Sequence, residues 1–284
     1  TQDHFDYHKN LNNYYNDKKK LFTKYLNADG HAILNDNLVK IKSLKKELKD
    51  YNLITYGKIQ SDIFIKNKNN EIEIIFFKKK YFVKLITLSK NEIENLSCAI
   101  SCCICLNIKI NDILKIIKKV SNPPGRLEKI QDKNLNIYID YAHTPDALKR
   151  LLVSQTFNNV KPNIVFGCGG NRDYTKRKKM GKIVNIYANR VYVTDDNPRY
   201  EDPKKIRQAI LSQCSKAKEF SSRKTAIISA INDLTKNEVL LIAGEGHEKI
   251  QLVNNLTRPF DDFNIAQNEI NKRNKNAKNW KLYN

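Results

Sequence analysis

The sequence predicts an α/β protein whose second half is built on a mostly parallel sheet, and three observations predict it. After Asn122-Pro123-Pro124-Gly125, short apolar runs alternate with helix-length stretches, the pattern of parallel strands joined by right-handed crossovers. One of those runs, Val191-Tyr192-Val193-Thr194, ends in Asp195-Asp196-Asn197-Pro198-Arg199. In an open parallel sheet, ligands bind just beyond such strand ends. Before residue 122 the pattern differs: short β-rich runs separated by Asn- and Lys-rich turns, then two helical stretches.

In order, Asp3-His4-Phe5-Asp6-Tyr7-His8 precedes a helix expected over Leu11–Tyr25. His31–Asp36 reads as a strand ending in a polar turn. Further strands are expected at Leu53–Tyr56, Ile63–Ile65, Ile72–Phe77 and Phe82–Leu88, and helices at Ile93–Leu106 and Ile110–Val120. Asn122-Pro123-Pro124-Gly125 breaks the helix and divides the chain into 1–121 and 122–284. Beyond it, strands are expected at Ile137–Asp140, Ile164–Phe166, Val191–Thr194 and Val239–Ala243. Helices are expected at Thr144–Leu152, Lys176–Ala188, Pro203–Cys214 and Arg223–Leu234. Thr144-Pro145 places a good N-cap before a proline at the first helical position. After about Arg273 the chain is rich in Lys and Asn, and a loosely held tail is expected.

The 284 residues suffice for two domains, and 40% hydrophobic content suffices for packed cores. A net charge of +21 raises nucleic acid as a partner. The lysines are spread through the whole chain, however, and no basic block is interleaved with aromatics. Nucleic acid is therefore not an expected partner. No apolar run approaches a membrane span and no signal peptide is visible. Cys98, Cys102 and Cys105 recur at i, i+4, i+7 among Ala, Ile and Leu, so a buried helix face is expected rather than a metal site. Reduced thiols without an export signal place the chain in the cytoplasm, and a monomer is expected.

Several polar motifs follow predicted strands or breaks. Asp140 closes a strand, where a carboxylate can accept both ribose hydroxyls of a nucleotide. Arg126, in Gly125-Arg126-Leu127-Glu128, is either a phosphate contact or one half of a hinge-side ion pair. Gly167-Cys168-Gly169-Gly170-Asn171-Arg172-Asp173 is not a dinucleotide fingerprint, since Arg172 stands where the third glycine belongs. Arg199 offers a planar fork suited to a carboxylate or phosphate; the alternative is a surface Arg on a solvated loop.

Taken together with Gly244-Glu245-Gly246-His247-Glu248, these motifs resemble the Mur ligases, and within them the branch that adds meso-diaminopimelate to UDP-N-acetylmuramoyl-L-alanyl-D-glutamate. The resemblance covers nearly the whole chain. It implies the C-terminal part of the central ATPase domain over 1–121, and a Rossmann-like domain binding the incoming amino acid over 122–284. It implies ATP and Mg2+, and amide formation through an acyl phosphate. Residue by residue, His4 matches a magnesium ligand and Lys18 a lysine that becomes carbamylated; a carbamate turns an ammonium into the oxygen donor that magnesium prefers. Asn95, Arg126, Asp140 and His143 match nucleotide contacts. Asp196, Asn197 and Arg199 match the diaminopimelate motif; Arg172 matches a carboxylate contact, and Gly244 and Glu248 face the far ammonium group. Ser89, Asn91 and Glu92 depart from the usual Gly, Phe and Asn, and Glu245 stands where Lys is common. The chain opens on Thr1 with a motif already in its first residues, and it has no G-x-x-x-x-G-K-[ST] loop. An N-terminally truncated fragment, inactive alone, is therefore expected. The alternatives are a lysine-adding ligase, a binding remnant without turnover, and a basic RNA-binding protein.

Overall fold

The computed structural model describes residues 5–282 except 86, 87 and 133, with side chains from Tyr7 to Lys275. The chain divides into two compact units, Asn12–Ser121 and Thr1–Leu11 together with Asn122–Asn284. A four-residue helix α1 (Phe5–His8) precedes α2 (Leu11–Thr23). Then come β1 (His31–Asn35), α3 (Ile41–Glu47), β2 (Asn52–Tyr56), β3 (Ile63–Lys68), β4 (Glu71–Phe76), β5 (Lys79–Val83), α4 (Lys90–Cys105) and α5 (Ile110–Ile117). The five strands lie in chain order, parallel from β1 to β3 and antiparallel from β3 to β5. Alternate isoleucines, Ile63 and Ile65 on β3 and Ile72 and Ile74 on β4, point to one face and pack against Ile100 of α4 and Ile113 and Ile117 of α5.

Two details of this unit correct the sequence reading. Helix α4 starts three residues before the expected Ile93, because Ser89 and Glu92 form a capping box. The Ser89 hydroxyl accepts from the Glu92 N–H (3.3 Å), and the Glu92 carboxylate accepts from the Ser89 N–H (2.8 Å). The buried residues of α4 are Ser97, Ile100 and Ser101, not the cysteines. Cys102 is exposed, and Cys98 and Cys105 are half-buried. The serines can occupy the buried stripe because each hydroxyl donates to the carbonyl one turn back, Ser97 to Ile93 and Ser101 to Ser97, both at 2.8 Å.

The second unit contains β6 (Glu128–Lys129), β7 (Asn136–Asp140), α6 (Pro145–Ser154), β8 (Asn163–Phe166), α7 (Thr175–Tyr187), β9 (Val191–Val193), α8 (Pro203–Leu211) and β10 (Lys218–Glu219). It continues with α9 (Arg223–Asn232), β11 (Val239–Ala243), β12 (Ile250–Val253), β13 (Leu256–Pro259) and α10 (Asp262–Leu282). Its sheet runs β10-β9-β8-β11-β7-β6, parallel throughout except for β6. Strand residues alternate between two cores. Ile164, Phe166, Val191, Val193 and Leu241 pack under α6, α7 and α8. Ile137, Ile139, Val165, Tyr192, Leu240 and Ile242 pack under α9 and α10. Both faces are therefore covered, as a parallel sheet requires.

Thr144 caps α6, and Pro145 follows at the first helical position, as the sequence predicts. Helix α10 runs on to Leu282, into the segment where a loosely held tail is expected. The Arg273 guanidinium donates to the last carbonyls of the α9 region, those of Ile231 and Leu234. Among the described residues, no helix is long and apolar enough to cross a membrane.

Candidate functional site

The chain steps from β7 out to β10 and then returns, so that β11 lies between β7 and β8 and parallel to both; the C-terminal ends of β7, β8, β9 and β11 share one sheet edge, where an open parallel sheet forms its ligand crevice. Each strand delivers one of the motifs to that edge: Asp140 after β7, the glycine loop after β8, Asp195–Arg199 after β9, and Gly244–Glu248 after β11.

The segment Asp195–Arg199 is the hub of the crevice. On one side it is zipped to the glycine loop: the Gly170 N–H donates to the Asn197 carbonyl (2.9 Å), and Arg199 Nη1 donates to the carbonyls of Gly170 (2.9 Å) and Asn197 (3.3 Å). A Cβ on Gly170 would sit 2.0 Å from the Pro198 oxygen, so only glycine allows this approach. On the other side it is zipped to β12. The Arg199 N–H donates to the Leu252 carbonyl (3.1 Å), the Asn254 N–H donates to the Arg199 carbonyl (2.7 Å), and Gln251 donates to the Asp196 carbonyl (2.6 Å). These bonds hold Arg199 at a φ of +52°, a conformation unfavourable for any residue with a Cβ. Among the described residues, its Nε and Nη2 have no hydrogen-bond partner. Asp195 is paired with Arg207 of α8.

Asn197 is buried, and both ends of its amide are committed to protein groups. The Leu252 N–H donates to Oδ1 (2.6 Å), and Nδ2 donates to the Glu245 carboxyl (2.9 Å). Asp196 is buried against Gly244. Glu245 is only 2% exposed. Burial, and then the neighbouring Asp196, push its pKa up to about 9, against the influence of Arg223. Arg223 and Asp262, the first residues of α9 and α10, form a fully buried two-pronged pair (2.8 and 2.6 Å). Arg223 also donates to the Ala243 carbonyl (3.0 Å) at the end of β11.

A second cluster centres on Tyr141. Its hydroxyl donates to Glu248 (3.0 Å), and the Arg126 guanidinium lies 4.5 Å from its ring centre. The rings of His143 and His247 stand 4.7 and 5.6 Å from it. The Tyr141 carbonyl accepts from His143 Nδ1 (2.8 Å), which places the proton on that nitrogen. The two Asp140 oxygens accept backbone N–H groups from Leu127 and Ala142, both at 2.8 Å. Burial nonetheless raises the pKa of this carboxyl, more than those bonds and Arg126 lower it. The Gly244 N–H donates to the Asp140 carbonyl (3.1 Å), which joins the two clusters. Gly125, at a φ of +66°, fits against Gly246 and His247 where a Cβ would collide with the backbone.

The structure thus brings Arg126, Asp140, His143, Asp196, Asn197, Arg199, Gly244 and Glu248 to one sheet edge. Arg172 is exposed in the loop after β8. Lys18 and Asn95 belong to the other unit, both exposed, with the Lys18 ammonium 5.4 Å from the Tyr14 ring centre. His4 lies outside the described residues. Sequence reasoning did not assign roles to Tyr141, Arg223 or Asp262; a Tyr directly after a strand-ending Asp was the one available signal.

Residues 1–103 match the Mur ligase middle domain, and residues 125–246 match the Mur ligase glutamate ligase domain. The chain is 39% identical to a UDP-N-acetylmuramoyl-L-alanyl-D-glutamate–2,6-diaminopimelate ligase of Rickettsia typhi, over 94% of this chain and 56% of the relative. It is 40% identical to the enzyme of that name from Rickettsia bellii, over 94% and 58%. It thus spans a little over half the length of the curated relatives it matches. A solved structure of a ligase of the same name superimposes with a TM-score of 0.58 at 27% identity, over 96% of this chain and 59% of the other. The MurF ligase of Thermotoga maritima, solved with ADP, shares the fold at a TM-score of 0.69 and 17% identity, over 95% and 60%. The chain belongs to the Mur ligase family and carries its middle and C-terminal domains.

Proposed function

We propose that this chain is the nucleotide- and amino-acid-binding part of a ligase that joins meso-diaminopimelate to UDP-N-acetylmuramoyl-L-alanyl-D-glutamate at the expense of ATP. The observation that carries the reading is Arg199. Its Nη1 is anchored on two backbone carbonyls, so Nε and Nη2 are held ready for a carboxylate. Diaminopimelate has a carboxylate at its far end, where lysine has none. The Gly244 carbonyl and the Glu248 carboxylate receive the neighbouring ammonium, and exposed Arg172 adds a cation for the carboxylates.

Among the described residues, each Asp140 oxygen accepts one backbone N–H and keeps a lone pair for a ribose hydroxyl. Arg126, braced on Tyr141, neutralises charge moving between phosphate and acyl group. The dipeptide carboxylate is activated as an acyl phosphate, which the amine of the incoming amino acid attacks to expel phosphate. The resemblance assigns nucleotide contacts to His143 at this edge and, within the other unit, to Asn95. Mg2+ enters the reading through His4 and a carbamylated Lys18. Among the described residues, however, no three His, Cys, Asp or Glu side chains are grouped to hold a metal, so no step is assigned to it. The reading is of a cytoplasmic monomer that binds neither nucleic acid nor membrane.

The test is a calorimetric titration of the chain with meso-diaminopimelate and with L-lysine. A site built around a polar group rejects the analogue lacking it, so a preference on the order of a thousandfold is expected, narrowing in Arg199→Ala. Equal affinity, or a preference for lysine, would refute the reading and favour a lysine-adding ligase.

A further inference from the structure

Among the described residues, the Glu245 side chain makes a single hydrogen bond, accepting from Asn197 Nδ2 at 2.9 Å. Its other oxygen is buried with no partner, and so is Arg223 Nη1. The two do not bond each other, so Glu245 is not placed to pair with Arg223, which Asp262 already satisfies on its other two nitrogens. The groups facing Glu245 are Asp196, Asp262 and Glu248, which oppose a negative charge, and Arg223, which favours it. A neutral carboxyl whose one engaged atom is an acceptor for an amide fits that balance.

The consequence runs through Asn197. A backbone N–H can only donate, so the Leu252 N–H fixes Oδ1 on its side and turns Nδ2 toward Glu245. Without the Glu245 acceptor, Nδ2 would be buried unpartnered, and the amide would have to leave Leu252 to reach water. The backbone carbonyl of the same residue accepts from Gly170 and from Arg199 Nη1. Any shift of Asn197 therefore moves the guanidinium.

We propose that Glu245 is a positioning residue for the amino-acid site: its buried carboxyl orients the Asn197 amide and thereby holds the loop that presents Arg199. The proposal rests on the diaminopimelate reading above. Glu245 acts through Asn197 and touches no substrate. The group it needs is an acceptor rather than a charge, so Gln can replace it and an apolar residue of similar volume cannot.

The experiment measures meso-diaminopimelate affinity of the 284-residue chain, and hydrogen exchange of the Leu252 amide, in five forms. These are the original chain, Glu245→Met, Glu245→Gln, Asn197→Ala and the Glu245→Met/Asn197→Ala double variant. Met fills the volume without an acceptor, so the core stays packed. The expected result is at least a tenfold loss of affinity and faster Leu252 exchange in Glu245→Met, both restored in Glu245→Gln. No further loss should follow when Glu245→Met is added to Asn197→Ala. Unchanged affinity and exchange in Glu245→Met, or losses that add in the double variant, would overturn the proposal. If the original chain does not bind diaminopimelate while Leu252 exchange still responds to Glu245→Met, the substrate reading falls and takes the role at an amino-acid site with it.

Discussion

Asp262→Asn is the substitution that reports most directly on how the site is supported. Asp262 and Arg223 are both fully buried and share two hydrogen bonds of 2.8 and 2.6 Å. Burial alone would lower the Arg223 pKa; the Asp262 carboxylate reverses that and raises it. Asn keeps the shape and removes the charge, leaving the buried guanidinium without its paired carboxylate and with only the more distant Asp196 and Glu245 acting on it. Breaking a buried pair from one side costs about 3–5 kcal/mol. For a unit of this size each kcal/mol lowers Tm by about 2–4 °C, so a fall of roughly 6–20 °C is expected. Arg223 also holds the Ala243 carbonyl, immediately before Gly244, so diaminopimelate affinity should weaken as well. Thermal unfolding followed by circular dichroism measures the first effect, and titration the second. The Arg223→Met/Asp262→Leu double variant should recover most of the lost Tm, because an apolar pair of similar volume carries no desolvation penalty. A fall below about 2 °C in Asp262→Asn would refute the reasoning, since a pair worth so little could not be supporting β11.

Gly170→Ala places a Cβ where the Pro198 oxygen lies at 2.0 Å; the glycine loop must separate from Asp195–Arg199, and titration should show at least a tenfold loss of diaminopimelate affinity. Glu245, raised from 4.5 to about 9, keeps its proton in the folded chain at pH values where the unfolded chain has lost it. Its contribution to stability is therefore complete below about pH 4.5 and lost as pH rises through about 9, at about 1.4 kcal/mol per pH unit in between. Urea unfolding from pH 6 to 9 should show this decline, and Glu245→Gln should flatten it; parallel profiles would contradict the burial argument. Asp140→Ala strips two N–H groups, those of Leu127 and Ala142, of their acceptor, and should cost about 1–3 kcal/mol of stability. It should also raise the KM for ATP in a complete ligase while leaving diaminopimelate affinity within a few-fold.

What could be read from the sequence follows from how local each signal is. The strands β7, β8, β9 and β11 are short apolar runs bounded by turn residues, and the Thr144-Pro145 start of α6 is a two-residue signal; all were visible. The Ser89-x-x-Glu92 capping box is equally local, but read only as departures from a family pattern these residues leave the expected start of α4 three residues late. The β12–β13 hairpin turns on Asn254-Asn255 between weakly apolar runs, and little in the pattern raises it above a loop. Among the described side chains, helix α10 buries Asp262, Ala266 and Ile270 along one narrow stripe in a Lys- and Asn-rich segment, so composition hides its periodicity.

The candidate site divides along the same line. Its residue types lie in four contiguous motifs, and the end of a parallel strand is where such motifs converge, so the sheet edge was legible. The direction of each side chain was not. Asn197 could equally face a ligand or the protein, and the decision depends on a backbone N–H at Leu252 and a carboxyl at Glu245, the latter 48 positions away. A glutamate in a glycine-rich turn gives no sign that it is 2% exposed; only the packing of β11 between β7 and β8, with Arg223 and Asp262 behind it, buries it there. The selectivity attributed to one arginine is therefore a property of three segments held in register. Arg199 supplies the donors, but the glycine loop, β12 and the Glu245–Asn197 contact determine where those donors point.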